Sequence, residues 1–151
     1  MPNPNYRDNM LDHERQAEQD GYRFIIGVDE AGRGPLAGPV VASAVLLQKT
    51  DFSCRICDSK KISALARERA FFEIFDKGLV GVGLISETVI DEQNILRATF
   101  HAMTQAVTDL IARLPSEWKA GRDFTKSIML LIDGNLFRSA LPYAYRTIIK
   151  G

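Results

Sequence analysis

The stretch FIIGVDEAGRGPLAGPVVASAVLL, residues 24–47, places two apolar runs on either side of an acidic pair and a glycine-rich turn. Phe24–Val28 is a short, β-branched and aromatic run of the kind that makes a buried strand. It ends in Asp29-Glu30, and Gly32, Gly34 and Gly38 punctuate the segment that follows. Val40–Leu47 reads as a second strand. The short connection predicts that the two strands pair antiparallel.

Further elements extend from this pair in both directions. An amphipathic helix is predicted around residues 8–20, and Ser63 is placed to cap another helix, which Gly78 ends. In that second helix Leu65, Phe72 and Phe75 share a face, widened by Phe71 and Ile74. The aromatics Phe71, Phe72, Phe75 and Phe100 are read as core. Leu79–Ser86 is a third strand. Leu96, Phe100, Met103, Val107 and Leu110 recur at spacings of three and four, as in a long amphipathic helix. Residues 115–125 read as a loop holding Trp118, to which no role is assigned. Ser127–Asp133 is a fourth strand and Arg146–Lys150 the start of a fifth. The order predicts an α/β fold, a mixed sheet flanked by helices. A helix over 1–20 precedes one domain over 21–151.

Composition bounds the functional classes. The 151 residues are 46% hydrophobic and 25% charged, ordinary for one domain with a real core. No apolar run reaches the ~18–20 residues of a membrane span, so no membrane association is expected. The acidic N-terminus has no apolar core of a secretory signal, and with two cysteines in all it points to the cytoplasm. Net charge is zero, but unevenly spread. Residues 1–20 hold two basic against five acidic side chains, and residues 49–69 hold six basic against three acidic. A local basic stretch can meet a phosphate backbone in a neutral protein, although a solvated helix start fits the charges equally well. Cys54 and Cys57 form a CxxC without a second pair or a histidine at finger-like spacing, so a redox or zinc role is not expected.

Two apolar strands end in an acid, FIIGVDE and IMLLIDG. Carboxylates at the carboxyl ends of neighbouring strands converge on the crevice where open sheets bind ligands, and hard cations such as Mg²⁺ take oxygen donors of this kind. Acids that merely favour the turns at strand ends are an equally open reading of the spacing. Adjacent strand residues face opposite sides, so Asp29 and Glu30 share a site only if the strand breaks at Glu30; Gly32 makes room for such a break.

GVDEAGRGPLAGPVVASAVLL resembles the signature of the type II ribonuclease H family. DSKKIS at 58–63, Ile85–Ile95 with Asp91 and Asn94, and LLIDGN at 130–135 resemble further family segments in the same order. The likeness covers about Gly21 to Gly151, leaving the N-terminal helix and residues 115–125 unmatched. It implies the ribonuclease H-like fold and an endonuclease that hydrolyses the RNA strand of RNA–DNA hybrids. It also implies cutting on the 5′ side of ribonucleotides embedded in duplex DNA, leaving a 3′-hydroxyl and a 5′-phosphate. By the same resemblance Asp29, Glu30 and Asp133 bind Mg²⁺ or Mn²⁺ as catalytic ligands, in a two-metal hydrolysis that needs no side-chain nucleophile. Gly32, Arg33 and Gly34 would recognise the ribose at an RNA–DNA junction, where only the 2′-hydroxyl marks RNA, and Lys60 would contact backbone phosphate. A P-loop reading fails for want of the terminal Gly-Lys-Ser/Thr. A monomer is expected.

The family pattern continues past RTIIKG with an alanine-rich helix bearing a fourth carboxylate and, later, a tyrosine that packs on deoxyribose. Tyr143 and Tyr145 lie too early for that tyrosine. The domain is therefore expected to lack its C-terminal part, and residues 1–151 alone to be nearly inactive. Two alternatives follow: a non-catalytic hybrid-binding fragment, and another ribonuclease H-like nuclease of the resolvase or integrase kind. The G-R-G directly after Asp-Glu speaks against the second.

Overall fold

The computed structural model describes residues 11–34, 37–54 and 62–149. Five strands, β1 (Phe24–Ala31), β2 (Val40–Leu47), β3 (Gly78–Ile85), β4 (Ile128–Asp133) and β5 (Ala144–Ile148), form one sheet in the order β3-β2-β1-β4-β5. As the short connection predicts, β1 and β2 pair antiparallel, and β3 extends that ladder. β4 joins β1 in parallel and β5 joins β4 in parallel. The helices are α1 (Asp12–Gln19), α2 (Ala64–Lys77), α3 (Glu87–Gln93), α4 (Ile95–Arg113) and the single turn α5 (Ser116–Lys119). The mixed sheet flanked by helices is the α/β architecture expected.

The burial pattern shows why each strand reads as it does. In β1, Phe24, Ile26 and Val28 are buried in alternation, and β2 alternates likewise through Val40, Ala42, Ala44 and Leu46. Their buried side faces α4, whose Ala102, Met103, Ala106, Val107 and Leu110 complete the main core. β4 is buried from Ile128 to Ile132, because both its faces are covered. On the far face Met129 and Leu131 pack against Ala17 of α1. Elsewhere that face is less covered, and Val82 and Leu84 of β3 are exposed.

The approach of α4 to β3 depends on two glycines. A Cβ at Gly83 would lie 2.0 Å from the Ala102 carbonyl oxygen, and one at Gly81 would lie 2.2 Å from that of Ala106. Both obstacles are backbone, so no rotamer change can relieve them. Helix starts follow their caps. Ser63 Oγ accepts from the Ala66 N–H at 3.2 Å, and Asn94 Oδ1 accepts from that of Arg97 at 3.1 Å, satisfying N–H groups that the first turn leaves unpaired.

Three expectations change. Phe71, Phe72 and Phe75, read as core, are 54%, 64% and 50% exposed, whereas Phe100 is buried. Periodicity reports which residues share a helix face, not whether anything covers it. α2 presses only Ala70 inward, and its aromatics pack on each other instead, Phe71 and Phe75 with ring centroids 4.6 Å apart. The stretch 115–125 is not featureless, since Trp118 of α5 stacks on Phe24 at 5.7 Å and closes the end of the core with Phe124. β5 begins at Ala144, two residues before its expected start. The start of the predicted N-terminal helix before residue 11 lies outside the described residues.

A polar clamp fastens residues 51–54 to α2. Glu73 accepts from the Ser53 N–H at 2.5 Å and the Cys54 N–H at 3.0 Å, and pairs with Lys77 at 3.0 Å. Lys77 in turn reaches Asp51 and lies over the Phe52 ring. The Cys54 hydrogen bond, followed by those from the Ser53 and Cys54 N–H groups, holds the Glu73 carboxyl below its ordinary 4.5. The same partnership, with desolvation, pushes the Cys54 thiol up, away from the thiolate that redox or metal chemistry requires. Cys57 lies outside the described residues.

A carboxylate depressed in the folded state contributes stability above its unfolded pKa and loses it as pH falls. Glu73→Gln should therefore melt below the parent at pH 7. The gap should narrow as pH drops below 4.5. Melting curves of both proteins from pH 7 to 3 test this; a gap independent of pH would show that the charge of Glu73 contributes nothing.

Candidate active site

β1 and β4 run parallel, and their last paired residues are Val28 and Ile132. Asp29 and Asp133 each stand one residue further, at the same carboxyl edge of the sheet. Asp133 is still paired to Ile148 of β5, and Asp29 to Ser43 of β2. β1 does not break at Glu30, as a shared site for the two adjacent acids had required. It runs to Ala31, with Glu30 opposite Ala42. The turn comes at Gly32, where φ is +98° and a Cβ would sit 2.6 Å from the Pro39 carbonyl oxygen. Only glycine takes that backbone without strain.

The unbroken pleat puts Asp29 and Glu30 on opposite faces, while Asp133, whose parity along β4 is that of Asp29, lines the cavity from the strand end. Glu30 has the parity of Ile26 and Val28 and points to the α4 side. There it lines a cavity of about 230 Å³ together with Arg33 and Asp133. Asp29 has the opposite parity and is not part of the lining; its Oδ1 accepts from the Glu30 N–H at 2.7 Å. Two of the three acids thus share one cavity and the third flanks it. Among the described residues no three acidic, histidine or cysteine side chains come close enough together to hold a metal ion. The donors are nonetheless all carboxylate oxygens, as a hard divalent cation requires. A cationic group already sits on one of them, since Arg33 Nη1 lies 3.0 Å from Glu30 Oε1.

The rest of the lining went unforeseen as site. Asn135 and Leu136 follow Asp133 through the turn, and Leu96, Phe100 and Met103 form an apolar wall contributed by α4. Asn135 stands inside the LLIDGN segment, so a signal for it existed; the α4 residues carried only the helical period that marks them as core. Thr99 also lines the cavity, but its hydroxyl donates to the Ile95 carbonyl at 2.8 Å. Gly34 is exposed beside the turn, whereas Lys60 lies outside the described residues.

A mixed sheet ordered β3-β2-β1-β4-β5, with acids ending its two central parallel strands, defines an α/β protein with a cavity at the carboxyl edge, where open sheets of this kind bind ligands. A family model described as Ribonuclease HII matches residues 26–118. Ribonuclease HII of Syntrophus aciditrophicus is 50% identical over 143 residues, spanning 93% of this chain and 61% of the relative. That of Bacillus subtilis is 50% identical over 103 residues, spanning 68% and 40%. The chain belongs to the ribonuclease HII family. It spans about 60% of the length of the first of these relatives. The fold also resembles that of a point mutant of Bst-RNase HIII, with a TM-score of 0.61 at 20% identity over 81% of this chain and 40% of the other. The ribonuclease H-like fold is thus found as expected.

Proposed function

We propose that this chain forms the catalytic domain of an endonuclease that hydrolyses the RNA strand of RNA–DNA hybrids and cuts 5′ of ribonucleotides embedded in duplex DNA. The observation that carries the reading is the convergence of Glu30, Asp133 and Arg33 on one cavity at the carboxyl edge, in a chain of this family. Mg²⁺ or Mn²⁺, with Asp29, Glu30 and Asp133 as ligands, would supply Lewis acidity and a nucleophilic water at neutral pH. Bst-RNase HIII, of the same fold, has been crystallised in complex with Mn²⁺.

The chain's own residues then bind and orient the strand. The Gly32 turn and the small Gly34 let the main chain approach a sugar closely, and the Arg33 guanidinium offers donors to sugar or phosphate oxygens. The 2′-hydroxyl is what distinguishes ribose at that position. Lys60 belongs to the same proposal as a phosphate contact. The apolar wall of Leu96, Phe100 and Met103 limits the water around the cavity. Water attacks phosphorus and the bond to the 3′ oxygen breaks, leaving a 3′-hydroxyl and a 5′-phosphate.

None of the described helices is long and apolar enough to cross a membrane. A monomer working in the cytoplasm on RNA–DNA hybrid, as one domain over 21–151, completes the proposal. One observation favours a second reading, a non-catalytic hybrid-binding chain: Asp29 stands across the pleat from Glu30 rather than beside it.

Replacing the 2′-hydroxyl of a single embedded ribonucleotide by hydrogen should abolish cutting. A gel assay on matched duplexes, run with this chain joined to the C-terminal part of the Syntrophus relative, measures this. Equal cutting of the all-DNA duplex would remove the junction-reading role. Retardation of the duplex without any cutting would favour the second reading.

A further inference from the structure

Arg33 and Glu30 line the same cavity with their charged groups 3.0 Å apart; the Glu30 side chain is 14% exposed and that of Arg33 48%. The pair is made by the turn. β1 carries Glu30 to the α4 side, and the left-handed Gly32 reverses the chain so that Arg33, three residues on, returns over the carboxylate. A guanidinium and a divalent cation on one carboxylate would repel each other across a few ångströms, and the low exposure of Glu30 limits the screening that water could offer. Arg33, on Oε1, therefore competes with a divalent cation for the Glu30 carboxylate.

We propose that Arg33 is the resident counter-cation of this site: it holds Glu30 until a divalent cation takes the carboxylate, and that exchange frees its guanidinium for the nucleic-acid strand. The inference rests on the cation-binding role assigned to Glu30 above and adds a coupling to it. Cation binding releases the group that grips the strand, and a strand that engages Arg33 vacates the carboxylate. Each ligand then raises affinity for the other, as linkage requires. Without either ligand, the pair spares the half-buried carboxylate an unpaired charge.

The test is Mn²⁺ binding by the protein without nucleic acid, followed by the electron paramagnetic resonance of the free ion. Arg33→Gln should bind Mn²⁺ about two- to fivefold more tightly than the parent, the range set by loss of a partly exposed ion pair. Arg33→Met, uncharged and of similar length, should do the same where glutamine perturbs the turn. In a Glu30→Gln background the gain should vanish, since the two effects act through one contact. Unchanged or weaker binding in both neutral variants, with circular dichroism like the parent's, would overturn the proposal. A Glu30→Gln protein that binds Mn²⁺ as well as the parent would instead overturn the cation-ligand role of Glu30, so the two failures are distinguishable.

Discussion

Asp133→Asn, in this chain joined to the C-terminal part of the Syntrophus relative, should lower the rate of hybrid cleavage by at least about a hundredfold while leaving the circular dichroism spectrum unchanged, and Asp29→Asn should do the same. Substitutions of groups that merely orient metal ligands cost about 10- to 100-fold in affinity or activity, and a ligand itself should cost at least the upper end. An amide keeps the shape of the carboxylate but not the charge that holds a divalent ion. The fold should tolerate the change. Asp133 is exposed at the end of β4, and its strand is held by the buried Ile128–Ile132 behind it. Single-turnover kinetics with saturating Mg²⁺ would measure the loss. Near-parental turnover for Asp133→Asn would remove the acid from the site, and for Asp29→Asn it would show that the acid across the pleat is a spectator.

Gly83→Ala should cause the largest loss of stability. Its Cβ would lie 2.0 Å from the Ala102 carbonyl oxygen and 2.8 Å from the Ala106 amide nitrogen, so α4 must shift as a body. Overpacking typically costs ~1–3 kcal/mol, and this site belongs at the upper end because backbone, not a side chain, has to yield. Against a typical domain stability of ~5–15 kcal/mol that is a substantial fraction. At roughly 2–4 °C per kcal/mol for a chain of this size, melting should fall by about 6–12 °C. Val82→Ala, which trims an exposed side chain of the same strand, should move it far less. If Gly83→Ala melts with the parent, α4 does not sit as close to β3 as described. The same substitution should also weaken cleavage, because Leu96, Phe100 and Met103 of α4 form the apolar wall of the cavity.

The central elements were legible because each is strongly determined by local physics. Phe24–Val28 and Val40–Leu47 announce buried strands by composition, and the spacing of Leu96, Phe100, Met103, Val107 and Leu110 is met by α4. Asp29, Glu30 and Asp133 were readable as edge acids from their places after apolar runs. Their orientation was not. Whether Glu30 joins Asp29 depends on where β1 stops, and its pairing with β2 carries it past the end of β4 to Ala31. Nothing local encodes that register. Phe71, Phe72 and Phe75 illustrate a different gap, since helix periodicity cannot say what lies opposite a face. Trp118 was silent for a third reason: its partner Phe24 is 94 residues away in the chain, and only the closed core brings the two rings together.

The most direct test of the account is where, and whether, a DNA duplex carrying one ribonucleotide is cut by this chain joined to the C-terminal part of the Syntrophus relative. A single incision on the 5′ side of the ribonucleotide is expected, leaving a 3′-hydroxyl and a 5′-phosphate, abolished by chelator and by Asp133→Asn. Incision at all-DNA positions, or undiminished incision by the Asp133→Asn protein, would contradict the assignment of the carboxyl-edge cavity as a ribonucleotide-reading active site.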